Sequence, residues 1–195
     1  MEVRGDRAQL DSRVALRANA GAAIDVEAFR ERALGLGVLG WVRPTGEFHA
    51  EGPPDAVEAL LDGLDSAPAK VEGHEQFGIR GVSAGRFRVA EGERGYVLCM
   101  EVDEAMRCWA LTKEPTLDPA VKRFAIEAGE PSGGTTWDEG TYEQGGRVAW
   151  PEAIERGHAV FVLHGEKLRG GFALQRTGRG WLLVKRKDDE ARPAA

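Results

Sequence analysis

The chain has 195 residues with 26 basic and 32 acidic side chains, a formal charge of −6. That charge excludes binding of bulk polyanion without a local basic patch. Two cysteines exclude a disulfide scaffold and a four-cysteine zinc site, and no apolar run approaches the ~18 residues of a membrane span. In chain order, residues 13–17 alternate like a strand. Asp25 stands at an N-cap position, and residues 26–36 read as a helix with Ala28, Phe29, Ala33 and Leu36 on one face. Residues 38–43 and 47–51 read as a hairpin turned at Pro44-Thr45-Gly46. A second helix, opened by Pro53-Pro54-Asp55, is predicted through Leu64 with Val57, Leu60, Leu61 and Leu64 aligned. Residues 71–79 read as a last strand. The order β-α-β-β-α-β is the split βαβ, or ferredoxin-like, plan.

The glycine-rich stretch at 78–85 marks a junction, and the texture then changes. Short strands are predicted at 86–90, 96–102, 106–112, 124–128, 146–150, 159–165, 170–175 and 181–185, with one short helix at 151–157. Closely spaced strands joined by glycine-rich turns suggest a small β-barrel or sandwich. The expected fold is therefore α+β, with domains at 1–83 and 84–195. Residues 1–83 hold nine basic and fourteen acidic side chains, and residues 84–195 hold seventeen and eighteen. The surplus acid thus lies in the first domain.

The run Phe29-Arg-Glu-Arg-Ala-Leu-Gly-Leu-Gly-Val-Leu-Gly-Trp-Val-Arg43, with the later Glu51-Gly-Pro-Pro-Asp-Ala-Val-Glu-Ala-Leu-Leu61, resembles the acylphosphatase family over residues 12–80. The resemblance implies a phosphate-binding arginine in the loop before the first helix and a water-orienting asparagine after the Gly-Trp-Val-Arg strand. Those positions fall on Val26 and Pro44. Neither side chain carries the chemistry. Arg30 is a displaced phosphate ligand at most, and pairing with Glu27 or Glu31 is the expected role.

Four segments are distinctive in the second domain: Cys108-Trp-Ala-Leu-Thr-Lys-Glu-Pro-Thr-Leu-Asp-Pro119, Val121-Lys-Arg-Phe-Ala-Ile-Glu127, Thr136-Trp-Asp-Glu-Gly-Thr-Tyr142 and Leu163-His-Gly-Glu-Lys-Leu-Arg-Gly170. They resemble the 3′-phosphoesterase domain of bacterial DNA ligase D over residues 86–189. That family trims DNA 3′ ends with a manganese ion held by histidines and an aspartate. The resemblance puts the second histidine, the aspartate and an arginine on Gly95, Val97 and Cys99, with only Tyr96 retained. It implies phosphate contacts for Lys113 and Arg123, whose alternative role is to hold their turn.

Residues 165–192 hold eight basic and four acidic side chains. Lys167, Arg169, Lys185, Arg186 and Lys187 are the nucleic-acid-binding candidates, whereas Trp181 reads as core. Four histidines leave little material for imidazole metal chemistry, and His158 and His164 are too far apart to share an ion. Cys99 and Cys108 face each other if Asp103-Glu104 is a two-residue turn. A disulfide there is feasible, but a reducing compartment favours two buried thiols.

The expected protein is a non-catalytic binding or adaptor protein. Its ligand would be a DNA or RNA end or another phosphorylated group, with an unidentified protein partner and no membrane. It needs no cofactor. A divergent 3′-phosphoesterase using manganese and a purely protein-binding regulator are the alternatives. No apolar leader core is present at the N-terminus, so the cytoplasm is the expected compartment.

Overall fold

The computed structural model describes residues 12–193, so most of the N-terminal stretch read for a leader lies outside the described residues. The chain divides into two compact units, Met1–Val82 and Ser83–Ala195.

The first unit is a mixed five-stranded sheet with two helices. Its elements are β1 (Val14–Asn19), α1 (Val26–Gly35), β2 (Leu39–Val42), β3 (Glu47–Gly52), α2 (Pro54–Leu61), β4 (Ser66–Pro68) and β5 (Phe77–Ile79). The strand order is β4-β1-β3-β2-β5, antiparallel except for the β2–β5 pair. Asp25 caps α1 by accepting the N–H groups of Glu27 and Ala28, and Glu27 complements the helix dipole. Ala33 is buried and Phe29 and Leu36 pack on the core, but Ala28 is exposed and Val26 takes its place. Arg30 pairs with Glu27 at 3.7 Å, the role expected of a surface helix residue. Helix α2 stops at Leu61, not Leu64, because Asp62 and Gly63 turn left-handed at φ of 36° and 84°.

The strand predicted over 71–79 is only Phe77–Ile79, and a short edge strand, β4, is added beside β1. The reason lies in β3. Phe48 and Ala50 face the helices, so the alternation of a strand puts His49 and Glu51 on the opposite face. There the buried Glu51 carboxylate accepts the backbone N–H groups of Glu72, Gly73 and His74. These groups are thereby lost to any ladder, and the segment is a loop laid over the sheet.

The second unit is a closed eight-stranded antiparallel barrel. Its elements are β6 (Gly85–Gly92), β7 (Gly95–Val102), β8 (Ala105–Leu111), β9 (Lys122–Ala128), β10 (Thr135–Gly145), α3 (Glu152–Glu155), β11 (His158–Gly165), β12 (Arg169–Thr177) and β13 (Gly180–Lys185). The closed order is β10-β11-β12-β13-β9-β8-β7-β6. Trp109, Tyr142, Phe87, Phe161 and Phe172 fill the inside, and Trp181 joins them edge-on to Trp109 at 6.0 Å. Residues 146–150 form no strand, and β10 supplies the eighth strand instead. A register shift between Thr136 and Asp138 breaks the period-two pattern of β10, which hid it in the sequence.

Candidate functional site

Strand directions set the geometry of the barrel face. Leu98, Trp109 and Ala125 point inward, so their neighbours Val97, Ala110 and Ile126 point outward. The registers align Ala90, Val97, Ala110 and Ile126 into one row across β6 to β9. Phe124, 37% exposed, and Ile126, 53% exposed, form the open end of this apolar face. Residues 129–134 carry the chain from β9 past β8 and β7 to β10 on the far side of β6. A depression of about 360 Å³ lies between this crossing and the face, lined by Ala90, Val97, Ala110, Tyr96, Pro131 and Gly134 among others.

Gly95 and Val97 of β7 line this depression, and Cys99 lies two residues further along the strand. At Gly95, φ is +114° and a Cβ would sit 2.4 Å from the carbonyl oxygen of Leu111, so this backbone admits no side chain. Tyr96 donates its hydroxyl proton to Glu91 at 3.0 Å. Cys99 lies opposite Cys108 across β7 and β8, and the two are joined in a disulfide, which corrects the expectation of two thiols. The tight turn at Asp103-Glu104, with φ of 48° and 64°, sets that register.

The basic candidates gather at one end of the barrel. Lys113 follows β8 and Arg123 lies at the start of β9, Lys167 lies between β11 and β12 and Arg169 opens β12, and Arg186 and Lys187 follow β13. All these connections leave the same end, the end at which β6 turns into β7. Lys113, Lys167, Arg169, Arg186 and Lys187 are exposed. Arg123 donates Nε–H to the carbonyl of Glu114 at 2.6 Å and so ties its own turn. Lys167 sits over the Trp137 ring at 4.3 Å, and Arg169 donates to the carbonyl of Gly165 at 2.9 Å. Lys185 is corrected out of the exposed set. It is buried, and its Nζ donates to the carbonyls of Gly171 and Arg186 and to the Asp188 carboxylate.

A second constellation, not foreseen from the sequence, lies on the helix-free face of the first unit. One ligand atom each of His49, Glu72 and His74 come within 4.8 Å of one another, the one group of metal-ligating side chains among the described residues. Glu51 sits beside them, its pKa held at about 2: burial raises it, but hydrogen bonds from His49 and the N–H groups of residues 72 and 74 outweigh burial. Burial pushes His74 below the ordinary imidazole value, opposed by Glu51 and reinforced by the charge of Arg80. His49 and His74 are 25 residues apart, and no spacing rule connects them. Only the strand position of one and the loop tethered by Glu51 bring them together.

No family model matches the chain. Over about half its length the chain is similar to a bacterial end-joining protein. It is 40% identical over 118 residues to the multifunctional non-homologous end joining protein LigD of Pseudomonas aeruginosa. The match covers 50% of this chain and 14% of that protein, so the chain spans a small part of its relative's length. Among solved structures, an acylphosphatase from Coxiella burnetii is 21% identical with a TM-score of 0.33, covering 37% of this chain and 97% of that one. Among the described residues, no helix is long and apolar enough to cross a membrane.

Proposed function

We propose that this chain serves DNA repair as a binding module that holds a nucleic-acid end without cleaving it. The similarity to an end-joining protein at 40% identity carries the reading. Collection of Lys113, Lys167, Arg169, Arg186 and Lys187 at one barrel end supports it, because phosphate contacts dominate nucleic-acid affinity. The non-catalytic part rests on the family resemblance. The resembled histidine, aspartate and arginine positions hold Gly95, Val97 and Cys99, a backbone that excludes a side chain, an apolar group and a disulfide. We read the first unit as an acylphosphatase-like, ferredoxin-like sheet that has likewise lost its arginine and asparagine, at Val26 and Pro44.

Anisotropy with a duplex carrying a 3′-phosphate, together with a manganese-dependent turnover assay on the same end, tests this. Salt-sensitive binding without turnover is expected. Turnover abolished by K113A and R123A would establish a divergent phosphoesterase instead. A second reading is favoured by the apolar row ending in Phe124 and Ile126, which suits a protein partner. Loss of partner capture with retained DNA binding on F124S would point there.

A further inference from the structure

We infer that His49, Glu72 and His74 form a site for a first-row divalent cation, zinc before the others. The site belongs to the first unit, so it stands or falls apart from the proposed barrel function.

The donor set is two imidazoles and a carboxylate, a set that zinc takes with three protein ligands and an open fourth position. The ligand atoms already lie within 4.8 Å of one another. Tetrahedral bonds of 2.0–2.2 Å require spacings of ~3.4 Å, so a contraction of at most about 1.4 Å closes the site. His74 Nε2 and Glu72 Oε2 are at 3.0 Å already. The rings of His49 and His74 are 5.5 Å apart between centroids.

The surroundings resemble those of a built metal site. Ligating histidines hand their second nitrogen to a carboxylate, which fixes the tautomer. Here His49 Nε2 meets Glu51 Oε2 at 3.3 Å. The other nitrogen, Nδ1, is buried with no hydrogen-bond partner, a cost that coordination would remove. Glu51 also clamps residues 72–74, so the same carboxylate that orients one ligand positions the loop bearing the other two.

Neighbouring charge decides which cation fits. Arg17 pairs with Glu72 at 3.1 Å, and Arg13 lies 3.8 Å from Glu51 and donates to the carbonyl of His74. The two carboxylates are thus largely neutralised, and an ion must be held by its donor atoms more than by net charge. Calcium and magnesium want oxygen and charge; zinc binds imidazole strongly. The Glu72 side chain is 35% exposed and leaves the ion a route from solvent.

Calorimetry with zinc on the full chain, and visible absorption with cobalt, test the site. One equivalent taken up at micromolar or tighter affinity, with tetrahedral cobalt bands, is expected. Calcium and magnesium at millimolar concentration should not compete. E72Q, at a partly exposed position, should weaken zinc about 10–100-fold with the fold intact by circular dichroism, and H74Q should do the same or more. H158Q and H164Q should leave uptake unchanged. Folded wild-type chain that takes up no zinc, or uptake that survives E72Q and H74Q, overturns the inference.

Discussion

Lys185 and Asp188 close the last turn of the barrel through a charge-assisted hydrogen bond, with Lys185 Nζ buried and Asp188 also accepting the N–H of Gly171 at 2.6 Å. One carboxylate therefore pairs a buried ammonium and tethers β12. Removing it leaves the ammonium without its counter-charge. D188N should lower unfolding free energy by about 2 kcal/mol, less than a fully buried pair because the Asp188 side chain is 31% exposed. Urea unfolding at pH 7 measures it.

The same pair predicts a pH dependence. Burial raises the Asp188 pKa, but the Lys185 and Gly171 hydrogen bonds outweigh it and hold it below 3.8. A depressed carboxylate contributes stability that is complete above its unfolded value and lost as pH falls through the folded one. The gap between wild type and D188N should therefore be full at pH 5 and shrink below 3.8. A gap constant down to pH 2 would show that the carboxylate charge is not what holds the turn.

Lys185 also shows where reading the sequence stops. Its neighbours Arg186 and Lys187 are as basic, and nothing in composition separates the buried one. The separation comes from β13 ending at Lys185, with its side chain on the inward phase shared by Trp181 and Leu183. The fold was legible wherever local signals agree, as at the Asp25 cap of the sheet unit and the Asp103-Glu104 turn of the barrel. It was not legible where one side chain captures distant backbone, as Glu51 does with residues 72–74. Likewise the bulge between Thr136 and Asp138 reverses the alternation of β10 and hides it, whereas the strand-like pattern of residues 146–150 forms no strand.

Gly95 allows a reverse test of the barrel face. If only the missing histidine separated this chain from an active phosphoesterase, G95H would move it towards activity. The backbone forbids that, since any Cβ meets the Leu111 carbonyl at 2.4 Å. G95A and G95H should both destabilise by roughly 2 kcal/mol or more, with no manganese-dependent turnover on a 3′-phosphate end. Equal melting temperatures for wild type and G95A would contradict the geometry.

Asp138 holds a turn at the same end of the barrel. Its buried carboxylate accepts the N–H of Glu166 at 3.0 Å and of Leu168 at 2.7 Å, which shapes the turn between β11 and β12 that carries Lys167 and Arg169. D138A strands both donors and should cost about 3 kcal/mol. D138N keeps one good acceptor and should fall between. Both should weaken DNA-end binding in proportion to the lost turn, while K167A weakens binding without loss of stability.

The Cys99–Cys108 disulfide spans nine residues within one hairpin. Closing so short a loop in the unfolded chain is worth ~2–3 kcal/mol by the chain-entropy relation. Both cysteines are 4% exposed, so the bond is shielded in the folded state. Alkylation of the denatured, unreduced protein should label neither cysteine, and prior reduction should expose two. The reduced protein should unfold at lower urea concentration, and C99S/C108S should match it in the absence of reductant. Complete alkylation without reductant, or identical midpoints for the two redox forms, would return the pair to the buried thiols that the sequence favoured.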